Sequence, residues 1–196
     1  MADLVTLAQY KEAEGISSSK DDLRFNSIIP SVSELVKTYC GVSFVDFYSS
    51  NKTETFTIDW DTYVVQLTES PVNSIVSVQE RETYGGSYTT LTTSDSEYYL
   101  ESSTDSILRT NDSGRYQNWP KGVGAVKVVY TGGYSEVPAD LKLAVLDLIT
   151  YYYKDEPKQR QSIAGASLQN QGSSSQRMNV GFPDHIKRVL DLYKNF

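Results

Sequence analysis

The sequence predicts an α+β fold: N-terminal helices, a central antiparallel β-sheet or meander, a central apolar helix, and a C-terminal amphipathic helix on a flexible tether. Three patterns carry this expectation. Residues 42–131 alternate apolar and polar side chains with period two, broken by turn clusters, a spacing that suits an antiparallel meander or a small sandwich. The segments on either side repeat their apolar residues every three or four positions, the spacing of a helix face. Residues 154–180 are rich in Gln, Ser, Gly and charge and hold few large apolar side chains, so they bury too little surface to offset ordering entropy.

The elements follow in order. Thr6 with Gln9 forms a capping-box pattern for a first helix over 6–14, which Gly15 ends. A second helix is expected over 20–40, with Asp21 and Asp22 in its first turn and Gly41 as its stop. Its apolar stripe is Phe25, Ile28, Ile29, Val32, Leu35, Val36 and Tyr39. Pro30 inside that stripe cannot donate to the Asn26 carbonyl and is expected to kink the helix or split it. Candidate strands are Phe44–Tyr48, Thr53–Ile58, Tyr63–Leu67, Ser74–Arg81, Ser87–Leu91, Tyr98–Glu101, Ile107–Arg109 and Val126–Tyr130. The last of them runs into Gly132-Gly133, where a sharp reversal calls for positive φ.

The helix opened by Pro138, over 138–153, is apolar on two sides. One stripe is Leu141, Ala144, Val145, Leu148 and Tyr152; the other is Leu143, Leu146, Ile149 and Tyr153. A helix apolar on two sides is buried on both. Its own core can cover one stripe, and the other calls for more of the chain or for a neighbouring copy. Leu143, Leu146, Ile149 and Tyr153 are therefore the candidate self-association face. After the tether, Pro183 opens a closing helix within 181–196 whose Ile186, Val189, Leu190 and Tyr193 share one face, with Phe196 nearby. Such a face either docks on a partner or folds back on its own domain. The expected division is a domain over 1–153, a tether over 154–180 and a docking helix over 181–196.

Composition narrows the function. A formal net charge of −7 argues against a protein that grips nucleic acid through phosphates, which requires clustered Lys and Arg. No apolar run is long enough to span a membrane, and Met-Ala-Asp-Leu lacks the order of a signal peptide. Cys40 is the single cysteine, which rules out an internal disulfide and points to a reducing cytoplasm. Fifteen tyrosines against six phenylalanines suit surfaces that are half dry and half wet.

Few residues are equipped for chemistry. His185 is the lone histidine, and a pairing with Cys40 has no supporting motif. Asp59-Trp60-Asp61 places two carboxylates where a divalent metal could bind, but the same residues are ordinary turn formers. Gly122-Val123-Gly124 lacks the third glycine of a dinucleotide fingerprint and precedes a strand. Trp60 and Trp119 with nearby tyrosines are candidates for a carbohydrate platform, or they plug a sheet edge and a loop. No cofactor and no resident metal is expected.

The order of blocks resembles the head–tail connector, or head-completion adaptor, family of tailed bacteriophages. The resemblance lies in VTLAQYKEAEGI, DDLRFNSIIPSVSELVKTYCG, SPVNSIVSVQER, VKVVYTGGYSEVPADLKLAVLDLITYYYKDE and FPDHIKRVLDLYKNF, about half of the chain. It implies a structural protein of the virion neck, assembled in the host cytoplasm, without enzymatic activity. It also implies a ring, commonly twelve-fold, beneath the portal protein, extending the DNA channel and carrying a stopper or tail protein below. DNA would pass without specific binding. On this reading Ile186, Val189, Leu190, Tyr193 and Phe196 dock on the portal, and Leu143, Leu146, Ile149 and Tyr153 join copies of the chain. A stopper or tail terminator is the neighbouring alternative, and a carbohydrate- or surface-binding module on the tyrosine-rich sheet is the rival from another class.

Overall fold

The computed structural model describes residues 2–93, 95–154, 162–163, 166–167 and 182–194. These residues hold four helices and strands in antiparallel sheets, an α+β chain as expected. Contacts group it into two units, residues 1–41 with 137–196, and residues 42–136.

The first unit is helical. Helix α1 (Leu7–Glu14) starts at a complete capping box: Thr6 Oγ1 accepts from the Gln9 amide at 3.3 Å while Gln9 Oε1 accepts from the Thr6 amide at 3.0 Å. Helix α2 (Asp22–Cys40) ends at Gly41, and both Gly15 and Gly41 are left-handed. Pro30 does not split α2. It stands on the exposed side, where water reaches the carbonyl it leaves unbonded, so one helix continues through it. Phe25, Ile29, Val32, Val36 and Cys40 form the buried row of α2. Tyr10 of α1 packs on Phe25 at 4.9 Å between ring centres.

Helix α3 (Ala139–Tyr153) buries Leu141, Ala144, Val145, Leu148 and Ile149. Its C-terminal end is fixed by Tyr153 against Phe25, 4.6 Å between ring centres, and by Thr150 Oγ1 to Tyr10 Oη at 3.0 Å. Helix α4 (Asp184–Leu192) belongs to the same unit, packing on α2 and α3 with Phe182, Ile186 and Leu190 buried. The tether expected over 154–180 lies largely outside the described residues. Within it, β8 (Ser162–Ile163) pairs antiparallel with β9 (Ala166–Ser167).

The second unit is built from two sheets. One has the order β1 (Lys52–Ile58), β7 (Gly122–Gly132), β3 (Val72–Glu80), β4 (Thr89–Leu91), and the other the order β2 (Val64–Gln66), β6 (Ser106–Arg109), β5 (Tyr98–Glu101). The pairing is not a simple meander. Strand β7 lies between β1 and β3, with Phe56 opposite Val126 and Val78 opposite Val128. Val126, Val128 and Tyr130 alternate inward as the sequence indicated, and join Val65, Leu67, Val78, Ile107 and Trp119 in one core fed by both sheets.

Phe44–Tyr48, expected as a strand, is a turn. Phe44 has φ +63, its carbonyl accepts from the Tyr134 amide at 2.7 Å, and the Phe47 carbonyl accepts from Gly132 at 3.0 Å. Glu69, 1% exposed, anchors the start of this turn by accepting from the Ser43 amide and hydroxyl at 2.9 and 2.8 Å. Lys52 balances it at 2.9 Å and also meets Glu54 at 2.9 Å. Burial works against the charge on Lys52, but the two carboxylates outweigh it and raise its pKa. Of the two turn glycines only Gly133 takes a left-handed conformation, with φ +91.

Candidate assembly surfaces

The helical unit hides one apolar row of α3 and leaves part of another open. Leu143 is 61% exposed and Leu146 is half-buried, whereas Ile149 is fully enclosed and Tyr153 is half-buried between Phe25 and Arg24. The four residues expected to form one intermolecular face therefore divide. Ile149 and Tyr153 tie α3 to its own unit, while Leu143 and Leu146 stay available. Ile149 sits inward because the buried arc of α3 is wide: Val145, Leu148 and Ile149 all reach packed side chains.

The C-terminal helix divides similarly. Ile186 and Leu190 are buried within the unit, so they are not an open docking face. Val189 and Tyr193 are half-buried, and Phe196 lies outside the described residues. Two hydrogen bonds hold the end of α4: Tyr193 Oη donates to Asp140 Oδ1 at 2.6 Å, and Tyr39 Oη donates to Asp191 Oδ1 at 2.5 Å. The first bond, made to the ionised carboxylate, is the main reason Asp140 titrates below its usual range. The second adds to desolvation in pushing Tyr39 up to about 12. Phe182 meets the Tyr39 ring edge-on at 5.0 Å. The outer side of α4 carries Leu192, which is exposed.

A groove of about 440 Å³ runs along α2, lined by Arg24, Ser27, Ile28, Ser31, Val32, Leu35 and Tyr152. Sequence reasoning merged Ile28 and Leu35 with the buried stripe of α2. They are a second row, beside Phe25, Ile29, Val32 and Val36 rather than within it, and the width of that stripe was the available signal.

The remaining candidates do not come together as chemistry. Cys40 is buried with its thiol donating toward the Leu190 carbonyl at 3.6 Å, and burial first, then the Asp191 carboxylate, pushes its pKa up to about 12. Such a thiol is a poor nucleophile. His185 is exposed, 4.0 Å from Asp147. Asp61 pairs with Lys121 at 3.0 Å at the surface, and no group of three or more metal-ligating side chains occurs among the described residues. Trp60 is exposed but Trp119 is 2% exposed inside the sheet core, so the two tryptophans do not form one carbohydrate platform. A second cleft, of about 730 Å³, is lined by Tyr98, Tyr99, Leu108 and Tyr116 among others. No described helix is long and apolar enough to cross a membrane.

The helical unit keeps partly uncovered leucines on α3, and the described residues bring no catalytic set together. The chain belongs to the head completion protein family, whose model matches residues 3–196. It is 32% identical over 72 residues to the head completion protein of Escherichia phage T5, a stretch that covers 36% of this chain and 39% of that relative's length. Its fold is similar to a chain in the neck of an empty gene transfer agent particle, computed with C6 symmetry (TM-score 0.62, 14% identity, 98% of this chain and 90% of that one). It is also similar to a chain in the neck of the native particle, computed with C12 symmetry (TM-score 0.56, 16% identity, 100% and 94%).

Proposed function

We propose that this chain is a structural head–tail connector: it occupies the virion neck, forms a ring beneath the portal, extends the DNA channel and offers a platform to a stopper or tail protein. Membership of the head completion family is the single observation that carries this reading. The fold shared with chains from gene transfer agent necks supports it. The role calls for no chemistry. Leu143, Leu146 and the uncovered part of Tyr153 are what the proposed self-association face keeps to offer, since Ile149 is enclosed. For the portal contact, Ile186 and Leu190 hold α4 in place, and Val189 and Tyr193 offer the part of their surface that their own unit leaves uncovered. The net charge of −7 suits a channel through which DNA slides without sticking.

The experiment is fractionation of particles. Labelling the chain with gold-tagged antibody in intact virions is expected to mark the junction of head and tail. Absence of the chain from purified particles, or label over the capsid shell or tail tip, overturns the reading.

A further inference from the structure

Charge is unevenly divided along this chain. The β unit, 42–136, carries 13 acidic and 6 basic residues, so the whole net charge of −7 resides there. The helical unit carries 12 of each and is neutral. Copies of the chain brought together through their β units would face like-charge repulsion; the helical units meet without it. The helical unit also presents two apolar features of opposite shape. One is the exposed Leu143 with the half-buried Leu146 beside it on α3. The other is the groove between α2 and Tyr152, floored by Ile28, Val32 and Leu35.

These two features do not overlap. Leu143 and Tyr152 are nine residues apart, about two and a half helical turns, so they face opposite ways around α3, and Leu146 lies about a third of a turn from Tyr152. A projection and a groove that face different ways around the helical unit favour a head-to-tail contact over a two-fold one, in which both features would have to share a single patch. A head-to-tail contact is the kind that generates rings. The rims match in charge as well. Asp147 lies one turn from Leu143 on the same side of α3, and Arg24, whose guanidinium donates to the Tyr153 carbonyl at 2.7 Å, stands at the groove edge with the opposite charge.

We propose that the α2–Tyr152 groove is the socket that receives Leu143 and Leu146 of the next copy, with Asp147 of one copy facing Arg24 of the other. This rests on the ring reading above and adds which surfaces meet and in which sense. The occupant is a second copy of this chain. Seating of the chain's own residues 155–181 in the groove is the competing outcome.

The test is disulfide trapping in assembled particles, using full-length chain with Leu35→Cys and Leu143→Cys combined, and separately Ile28→Cys and Leu146→Cys combined. All four positions are at least partly exposed and the native Cys40 is buried, so the new thiols are the reactive ones. After mild oxidation and denaturing electrophoresis, head-to-tail contact gives a ladder of dimers, trimers and higher species, lost on reduction. Neither member of a pair gives a ladder alone. Particles that contain the doubly substituted chains but yield monomer from both pairs overturn the proposal, as does self-occupation of the groove, which gives the same result. Dimers from Leu143→Cys alone overturn it by showing a two-fold contact. If wild-type chain is absent from particles altogether, the neck reading has failed instead.

Discussion

Replacing Leu143 and Ile149 with aspartate, one at a time, separates assembly from folding on a single helix. Leu143 is 61% exposed, so within its own unit it contributes only part of a leucine's burial, about 1 kcal/mol or less. Leu143→Asp should leave thermal unfolding close to wild type. Where Leu143 is covered by a second copy, the same change removes the remaining burial, about 1–2 kcal/mol, and also encloses an unpaired carboxylate at several kcal/mol more. A loss above about 3 kcal/mol per contact weakens association more than 100-fold. Ile149 is fully buried, and a carboxylate there costs more than about 4 kcal/mol, a large share of the 5–15 kcal/mol that holds a typical domain. The assay pairs circular-dichroism melts with quantification of the chain in particles. The expected result is a folded Leu143→Asp protein missing from particles and an Ile149→Asp protein that does not fold. Equal destabilisation by both changes, or wild-type incorporation of Leu143→Asp, would refute the reasoning.

Gly133→Ala should destabilise the β unit by more than about 1 kcal/mol, since its Cβ would come 2.0 Å from the Phe44 carbonyl oxygen at φ +91; a neutral melt contradicts this. Cys40 should resist thiol reagents at pH 8 until the protein unfolds, and labelling of the folded chain at the unfolded rate counts against its burial. Because its folded pKa, about 12, exceeds the ordinary 9.0, the buried thiol's contribution is intact below about pH 9 and declines as pH rises toward 12. Tyr193→Phe should let the Asp140 carboxyl titrate higher by NMR. The wild-type bond's contribution is present above pH 3.8 and fades as the medium becomes more acid than that; an unchanged titration would show that Tyr193 is not the cause.

What was legible in the sequence was mostly local. Thr6, Gln9, Gly15 and Gly41 announce helix ends through bonds made within a few residues, and the structure has those ends. The alternation at Val126, Val128 and Tyr130 correctly marked the inner face of β7. Long-range pairing was not legible. Nothing near Phe44 signals that Glu69 and the Gly133 turn will bend the chain there, so its apolar alternation resembled a strand. Likewise β1 pairs with β7 rather than with its neighbour in sequence. Pro30 suggests a kink or a split, and the split does not occur because its ring faces water, which the pattern does not reveal. At the surfaces, an apolar helical stripe looks the same whether its own chain or a partner covers it. That is why Ile149, Ile186 and Leu190 were grouped with exposed residues, and why the α2 groove passed as core.

The most direct measurement is electron microscopy of assembled portal mixed with the full-length chain. The account predicts a ring of this protein seated beneath the portal, with the helical units of adjacent copies in contact and an open channel along the axis. Portal rings that stay bare at saturating concentrations of the chain, or copies joined through their acidic β units, would contradict it.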